Sequence, residues 1–165
     1  MTWQAVHNTP IGDVIISAND QALTGIHFPT HRGQNIVTPE WKARPDHHLL
    51  KEAGKQLDAY FEGELRDFEL PVFLDGTEFQ LEVWGALQRI PYGKTTSYVE
   101  IATEIGNVAR AVGQANACNP ISIVVPCHRV IAADQSLGGY AGGLEVKQYL
   151  LNMEARYGYG QGELF

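Results

Sequence analysis

Residues 97–117 read SYVEIATEIGNVARAVGQANA and predict two short helices joined by a tight turn. Ser97, followed three residues later by Glu100, forms a capping-box pattern that begins the first helix. Gly106 is typical of a helix C-cap, and the chain resumes helical character at Ala109. Two short helices across a glycine turn predict a helix-turn-helix.

The second of these helices is unusually rich in small residues. Arg110 is its only cation, and its small members are Ala109, Ala111, Gly113, Ala115 and Ala117. One interpretation is tight packing against a neighbouring helix. The other is close approach to a DNA groove with Arg110 projecting, in which case few side chains remain to read bases by hydrogen bonding. The pattern alone leaves both interpretations open.

The rest of the chain predicts an α+β protein with two domains, 1–76 and 77–165. Residues 2–28 alternate β-prone runs with turns, as in an antiparallel meander. A loop over 30–45, a helix from Asp46 to about Gly63 and a strand over 68–74 complete the N-terminal α/β domain. The mostly helical C-terminal domain opens with a capping box at Thr77, whose helix ends before the turn at 91–93.

Length, composition and charge restrict the possible functions. The 165 residues are 44% hydrophobic, and no apolar run approaches the ~20 residues that span a bilayer. The N-terminus lacks a secretion signal, so we expect a cytoplasmic protein with no membrane partner. The net charge of −7 argues against a protein that coats nucleic acid. Residues 77–165 carry six Lys and Arg against eight acidic residues, while 1–76 carry six against eleven, so the C-terminal half is the better candidate for DNA contact.

The segment 121–130, ISIVVPCHRV, carries the candidate chemistry. The apolar run predicts a buried strand that delivers Cys127 at its end, beside His128 and Arg129. Nearby positive charge or a proton-accepting imidazole favours the thiolate, so we expect a lowered pKa for Cys127 and a nucleophilic role. Cys-His adjacency alone is a weak signal, and a packed, unreactive cysteine remains open at this point. With only two cysteines, a disulfide framework is excluded.

The run 126–130, PCHRV, has Asn119-Pro120 before it and the residues GYAGG at 139–143 after it. Together these closely resemble the methylated-DNA–protein-cysteine methyltransferases, also called O6-alkylguanine-DNA alkyltransferases. The resemblance extends from about Phe79 to Glu154, whereas the first domain matches only in size and α+β character. It implies an RNase H-like N-terminal domain and direct reversal of O6-alkylguanine damage in double-stranded DNA, by a monomer that needs no cofactor.

The resemblance also implies roles for individual residues. Cys127 would accept the alkyl group, once and irreversibly, with His128 as its water-mediated base. Glu154, on the last turn of a helix over 144–153, would orient His128. Asn119 would tie the Cys-bearing strand to the preceding turn, although Asn-Pro is also a common turn former.

Further residues would act on DNA and on the flipped base. Tyr98 would crowd the 3′ phosphate and protonate guanine N3, and Arg110 would fill the gap in the base stack, with Ala109, Ala111 and Gly113 lying against the groove. The backbone carbonyls of Cys127 and Val130 would accept from the guanine amine. The residues implied to line the substrate pocket are Pro126, Val130, Tyr140, Ala141 and Gly142. The glycines at 138–143 also suggest phosphate binding, but no Walker or dinucleotide pattern accompanies them.

The sequence departs from the family pattern between Tyr98 and Arg110, where it is about two residues shorter. Some relatives bind zinc through N-terminal cysteines, but here no cysteine precedes Cys118, so we expect no metal site. The histidines at 7, 27, 31, 47 and 48 show no tight ligand spacing. Cys118 has no implied function, and we expect it to be packed.

Two other functions remain alternatives. A Cys-His hydrolase would use the same nucleophile and base but would also need an oxyanion hole and would turn over many times. A damage sensor that binds without repairing is the second alternative. Relatives of that kind carry Trp at the position of Cys127, so the residue itself argues against it.

Overall fold

A meander of three antiparallel strands forms the centre of the N-terminal unit. The computed structural model describes residues 1–28, 42–160 and 165, and the chain divides into two units, Met1–Leu74 and Asp75–Phe165. Strands β1 (Trp3–Thr9), β2 (Gly12–Ala18) and β3 (Leu23–His27) pair in the order β3-β2-β1, and the short β4 (Lys42–Ala43) adds to β1 in parallel. The predicted meander is therefore confirmed.

Helix α1 (His48–Phe61) packs on this sheet. Its buried side includes Leu50, Ala53 and Leu57, which recur at the spacing of one helix face. The N-cap is His47 and not Asp46, because the ring Nδ1 of His47 accepts from the Leu49 N–H over 3.2 Å. An imidazole acceptor at an N-cap has no simple sequence signal, which explains the error of one residue.

Two other predictions for this unit need correction. The strand expected over 68–74 is only an isolated bridge between Leu23 and Val72. Pro71 accepts from Leu23 N–H but has no N–H of its own to extend the pairing. Most of the predicted loop, and with it His31, lies outside the described residues, while Lys42 and Ala43 at its end form β4. No group of three potential metal ligands occurs within the described part of the chain.

The C-terminal unit consists mainly of four helices among its described residues. Helix α2 (Glu78–Gln88) begins with the predicted capping box of Thr77 and Gln80, both halves of which form. Strand β5 (Thr96–Ser97) leads into α3 (Tyr98–Ile105), and α4 (Ala109–Ala117) follows it. Helix α5 (Leu144–Tyr159) closes the unit.

Helices α3 and α4 confirm the predicted helix-turn-helix. Ser97 caps α3 by accepting from Glu100 N–H over 3.0 Å, and Gly106 ends it with φ 73°. The Glu100 side chain does not complete the box, because its Oε2 accepts from Thr96 Oγ1 instead. Val108 begins α4 without a side-chain cap. No helix among the described residues is long and apolar enough to cross a membrane.

Candidate active site around Cys127

The segment before Cys127 is a pair of tight turns, and the predicted strand over 121–125 is wrong. Val124 N–H donates to the Ser122 carbonyl over 2.9 Å around Ile123, whose φ is 76°. Cys127 N–H donates to the Val125 carbonyl over 2.8 Å around Pro126, at φ −82° and ψ 66°. These bonds from residue i+2 to residue i define γ-turns, the first of which is the rare form with positive φ.

Ile123 holds a backbone conformation that β-branched residues avoid, at a cost of about 1–3 kcal/mol. The Ile123 side chain is buried, and Asn119 forms hydrogen bonds to both ends of the segment 121–125. Asn119 Oδ1 accepts from Ile121 N–H over 3.0 Å, and its Nδ2 donates to the Val125 carbonyl over 2.8 Å. Asn119 therefore stabilises the strained segment from both ends, and the Cys127 backbone follows directly.

A short 3-10 turn then presents Cys127, His128 and Arg129 in different directions. The turn spans Cys127–Arg129 and closes with the Val130 N–H donating to the Cys127 carbonyl. His128 and Arg129 both face Glu154, which lies within α5 and not on its last turn, since the helix continues to Tyr159. All three side chains are buried.

The carboxylate of Glu154 forms hydrogen bonds with both His128 and Arg129. His128 Nε2 lies 2.7 Å from Oε2, while Arg129 donates from Nε to Oε1 over 2.8 Å and from Nη2 to Oε2 over 3.1 Å. Arg129 Nη1 also donates to the Ile90 carbonyl over 2.8 Å. A bidentate arginine neutralises the carboxylate, so the imidazole beside it can stay uncharged.

The pKa shifts of Glu154 and His128 indicate which of these two buried side chains carries a proton. Although burial raises the pKa of Glu154, the hydrogen bond of His128 and the charge and hydrogen bonds of Arg129 hold it well below its usual range. Burial lowers the pKa of His128, against the opposing effect of Glu154. A neutral His128 then donates from Nε2 and keeps a lone pair on Nδ1. That Nδ1 is buried and has no hydrogen-bond partner among the described residues, so it is available as a base.

Burial raises the pKa of the Cys127 thiol, contrary to the lowered pKa that the sequence predicts. Hydrogen bonds of Asn119 and Ser122 and the charge of Lys147 oppose the effect without reversing it. The prediction is wrong because Arg129 turns towards Glu154, while the thiol is only 3% exposed. The resting nucleophile is a thiol, and it requires a base.

Lys147 is a functional candidate that the sequence analysis missed. It is fully buried, and its Nζ donates to the carbonyls of Val130 over 2.6 Å and Gly139 over 3.1 Å. Burial lowers its pKa to about 8, while the Cys127 charge acts to raise it. A signal was present, since Lys147 lies three and seven residues before Leu150 and Glu154, on the buried face of α5.

Two tyrosines lie near the thiol. Burial raises the pKa of Tyr98, and that of Tyr140 well above its usual range, and the Cys127 charge acts in the same direction on both. The Tyr140 hydroxyl also interacts with the side chains of Cys127 and Ser122. The structure thus brings Tyr98 and Tyr140 together with Cys127, along with Asn119, His128 and Glu154.

The remaining predicted residues divide between the surface and the interior. Arg110 is exposed and forms no hydrogen bond or ion pair with another described side chain, whereas Ala109, Ala111 and Gly113 are half-buried on α4. Pro126 and Val130 are buried, and Ala141 and Gly142 are half-buried. Cys118 is exposed, contrary to the expectation that it is packed, because it is the C-cap residue of α4.

The two carbonyls implied to bind a guanine amine already have partners within the chain. The Cys127 carbonyl accepts from Val130 N–H and from Asn116 Nδ2, and the Val130 carbonyl accepts from Lys147 Nζ. A carbonyl oxygen has two lone pairs. A guanine amine at either carbonyl would therefore have to share the oxygen with an internal donor or displace that donor.

Two family models match the sequence. The 6-O-methylguanine DNA methyltransferase, ribonuclease-like domain, matches residues 3–74, and the 6-O-methylguanine DNA methyltransferase, DNA binding domain, matches residues 78–156. The first match confirms the ribonuclease-like character expected of the N-terminal unit.

Individual relatives match over nearly the whole chain. A methylated-DNA–protein-cysteine methyltransferase of Methanosarcina acetivorans is 44% identical over 154 residues, which cover 92% of this chain and 97% of the relative. That of Mycolicibacterium paratuberculosis is 47% identical over 160 residues, covering 96% and 95%. The crystal structure of Mycobacterium tuberculosis OGT in complex with DNA is 42% identical and covers 94% of this chain and 93% of that chain, with a TM-score of 0.84.

Proposed function

The chain belongs to the family of 6-O-methylguanine DNA methyltransferases, and we propose that it repairs O6-alkylguanine in duplex DNA by transferring the alkyl group to Cys127. The observation that carries this proposal is the buried thiol of Cys127 on a turn whose next residue, His128, has a free Nδ1 and is held by Glu154. Nucleophile, base and orienting carboxylate in series are the arrangement that activates a weak nucleophile.

In the proposed reaction the Cys127 proton passes to Nδ1 of His128 through a water molecule. Sγ attacks the alkyl carbon, a carbon–sulfur bond forms, and the bond between that carbon and O6 breaks with its electron pair going to guanine. Tyr98 supplies a proton to N3 of the departing base. The proton held by His128 returns through solvent to the Tyr98 phenolate, and exchange with solvent moves the base proton from N3 to N1. The products are then unmodified guanine and a thioether on Cys127, and no oxidant or cofactor is consumed.

Burial of the thiol supports a requirement for base flipping. Cys127 is 3% exposed, so a base stacked in a duplex would not reach it. Extruding a nucleotide costs a few kcal/mol, and less when damage has weakened its pairing. We expect Arg110, exposed on α4, to occupy the vacated space, and Tyr98, at the start of α3, to help rotate the nucleotide.

A duplex that carries a radiolabelled O6-methyl group tests the proposal. Label should appear covalently on the protein and level off at one equivalent per chain, because a thioether is not hydrolysed at neutral pH. Cys127→Ala should take up no label but still bind the duplex, and Cys118→Ala should behave like the wild type. An O4-methylthymine duplex in the same assay determines whether that lesion is also a substrate.

The alternatives give different results in this assay. A Cys-His hydrolase would turn over repeatedly and leave no label on the protein. A damage sensor would bind the duplex without removing the methyl group. Uptake by the Cys127→Ala variant, for example at the exposed Cys118, would contradict the assignment of the acceptor.

A further inference from the structure

Two of the polar side chains of helix α4, Arg110 and Asn116, leave it in different directions. Arg110 is exposed, whereas Asn116, six residues later, is buried. Six residues rotate a helix by about 600°, or one full turn plus about 240°, which separates the two directions. The end of α4 near Asn116 is held by Trp84, whose Nε1 donates to the Ala115 carbonyl over 2.9 Å.

Asn116 contacts the turn that presents the nucleophile. Its Nδ2 donates to the Cys127 carbonyl over 3.3 Å in the buried interior. Because a carbonyl only accepts, this contact determines which end of the amide faces Cys127. The same carbonyl accepts from Val130 N–H, the bond that closes the 3-10 turn. Asn116 therefore stabilises the backbone on which the thiol is carried.

The Asn116 side chain also interacts with Tyr98. It is one of the groups that lower the Tyr98 pKa, although burial and the Cys127 charge outweigh it. Gly113, on the same helix, faces the aromatic ring, since a Cβ there would lie 3.8 Å from Cδ1 of Tyr98, at ordinary contact distance. Helix α4 thus meets Tyr98 through both Gly113 and Asn116.

The second polar atom of the Asn116 side chain is unused. Oδ1 is buried and accepts no hydrogen bond from any described residue. Native structures keep few buried acceptors without a donor, because such acceptors are costly. The interaction with Tyr98 lowers the pKa of that tyrosine, so it uses the amide Nδ2, whose two protons serve the Cys127 carbonyl and the Tyr98 oxygen.

We infer that Asn116 is a positioning residue that links α4 to both reacting groups, because its Nδ2 faces both the Cys127 turn and the Tyr98 oxygen. The inference rests on the proposed function, in which Cys127 accepts the alkyl group and Tyr98 protonates the departing base. When Arg110 seats α4 on DNA, Asn116 then sets the alignment of nucleophile and proton donor.

Free O6-benzylguanine tests this role without requiring DNA. Asn116→Leu keeps the volume and removes both hydrogen bonds, and Gln114→Leu is its matched control because Gln114 is exposed on the same helix. We expect Asn116→Leu to react about tenfold to a hundredfold more slowly, as for a small misplacement of reacting groups. The control should react like the wild type.

A second readout separates positioning from loss of folded protein. In a Cys118→Ala background, the rate of iodoacetamide alkylation against pH reports the thiol pKa of Cys127. Asn116→Asp places a negative charge beside Cys127 and should move this titration to higher pH by about one unit. Asn116→Leu should leave it in place, and Gln114→Glu should not move it either.

The outcomes decide the inference separately from the proposed function. Wild-type reactivity in folded Asn116→Leu overturns the inference, as does a rate loss that only follows the folded fraction measured by circular dichroism. If the wild type transfers no alkyl group, the proposed function fails, and the titration of Asn116→Asp alone decides whether Asn116 acts on the Cys127 turn. If Asn116→Asp does not fold, the rate of Asn116→Leu decides.

Discussion

The carboxylate of Glu154 lies 2.7 Å from Nε2 of His128, and neither side chain is exposed to solvent. Arg129 supplies the compensating positive charge through two further hydrogen bonds to the same carboxylate. The pair therefore has two functions that can be measured independently, one in stability and one in proton transfer.

Replacement of Glu154 by Gln should destabilise the protein by about 3–5 kcal/mol, because it leaves the buried Arg129 without its anion. The pKa of Glu154 is held well below its usual range, so its contribution is complete above about pH 4.3 and is lost as the pH falls further. Urea denaturation of wild type and variant should therefore differ most near pH 7 and converge in acid. Glu145→Gln, an exposed change on the same helix, should alter the free energy of unfolding by less than about 0.5 kcal/mol.

Replacement of His128 by Asn should slow transfer to O6-benzylguanine at pH 7 by about 10²–10⁴-fold, the usual contribution of a general base. The raised pKa of Cys127 leaves little thiolate at that pH, so the variant should recover as the pH rises. In the wild type, the lowered pKa of His128 means that its imidazole is still neutral when the pH first falls below about 6.5, so transfer activity should persist in that range. A deficit that is the same at every pH would mean that His128 only holds the structure. His48→Asn, on the surface of the other unit, is the control.

Replacement of Lys147 by Met should lower the thiolate fraction of Cys127 about tenfold below pH 8, equivalent there to a rise of about one unit in its apparent thiol pKa, because a nearby positive charge is removed. Lys147 itself has a pKa of about 8, so its effect should be present below that pH and fade above it. Iodoacetamide alkylation in a Cys118→Ala background measures the shift. Lys94→Met removes an equal charge that does not act on Cys127, and an equal shift in both variants would contradict a local effect.

Replacement of Arg110 by Ala should reduce repair of duplex DNA by roughly tenfold or more, because no side chain then fills the gap that the flipped nucleotide leaves in the base stack. Extruding the nucleotide already costs a few kcal/mol. Reaction with free O6-benzylguanine should change by less than about twofold, because no flipping is needed. Arg156→Ala removes an exposed charge from α5 and serves as the control. Equal losses on both substrates would place Arg110 in the fold or the substrate pocket, and would indicate that the shortened turn has moved α4.

The sequence by itself determined the features that depend on local chemistry. The antiparallel meander, the capping box at Thr77 and the Gly106 C-cap follow from residue pattern and capping preference, and all three form. The short run 126–130 likewise identified the family and the candidate nucleophile, because a signature of contiguous residues does not depend on how distant segments pack.

Only the tertiary structure decided the conformation and protonation around Cys127. An apolar β-branched run favours a strand, yet bonds from Asn119 and burial of the side chain hold Ile123 at positive φ. The thiol pKa rises because packing removes solvent from Cys127 and turns Arg129 towards Glu154, 25 residues away in the chain. Lys147 and Asn116 contact the site by donating hydrogen bonds to carbonyls of distant segments. Such contacts form only when those segments pack together, so a local sequence pattern does not predict them.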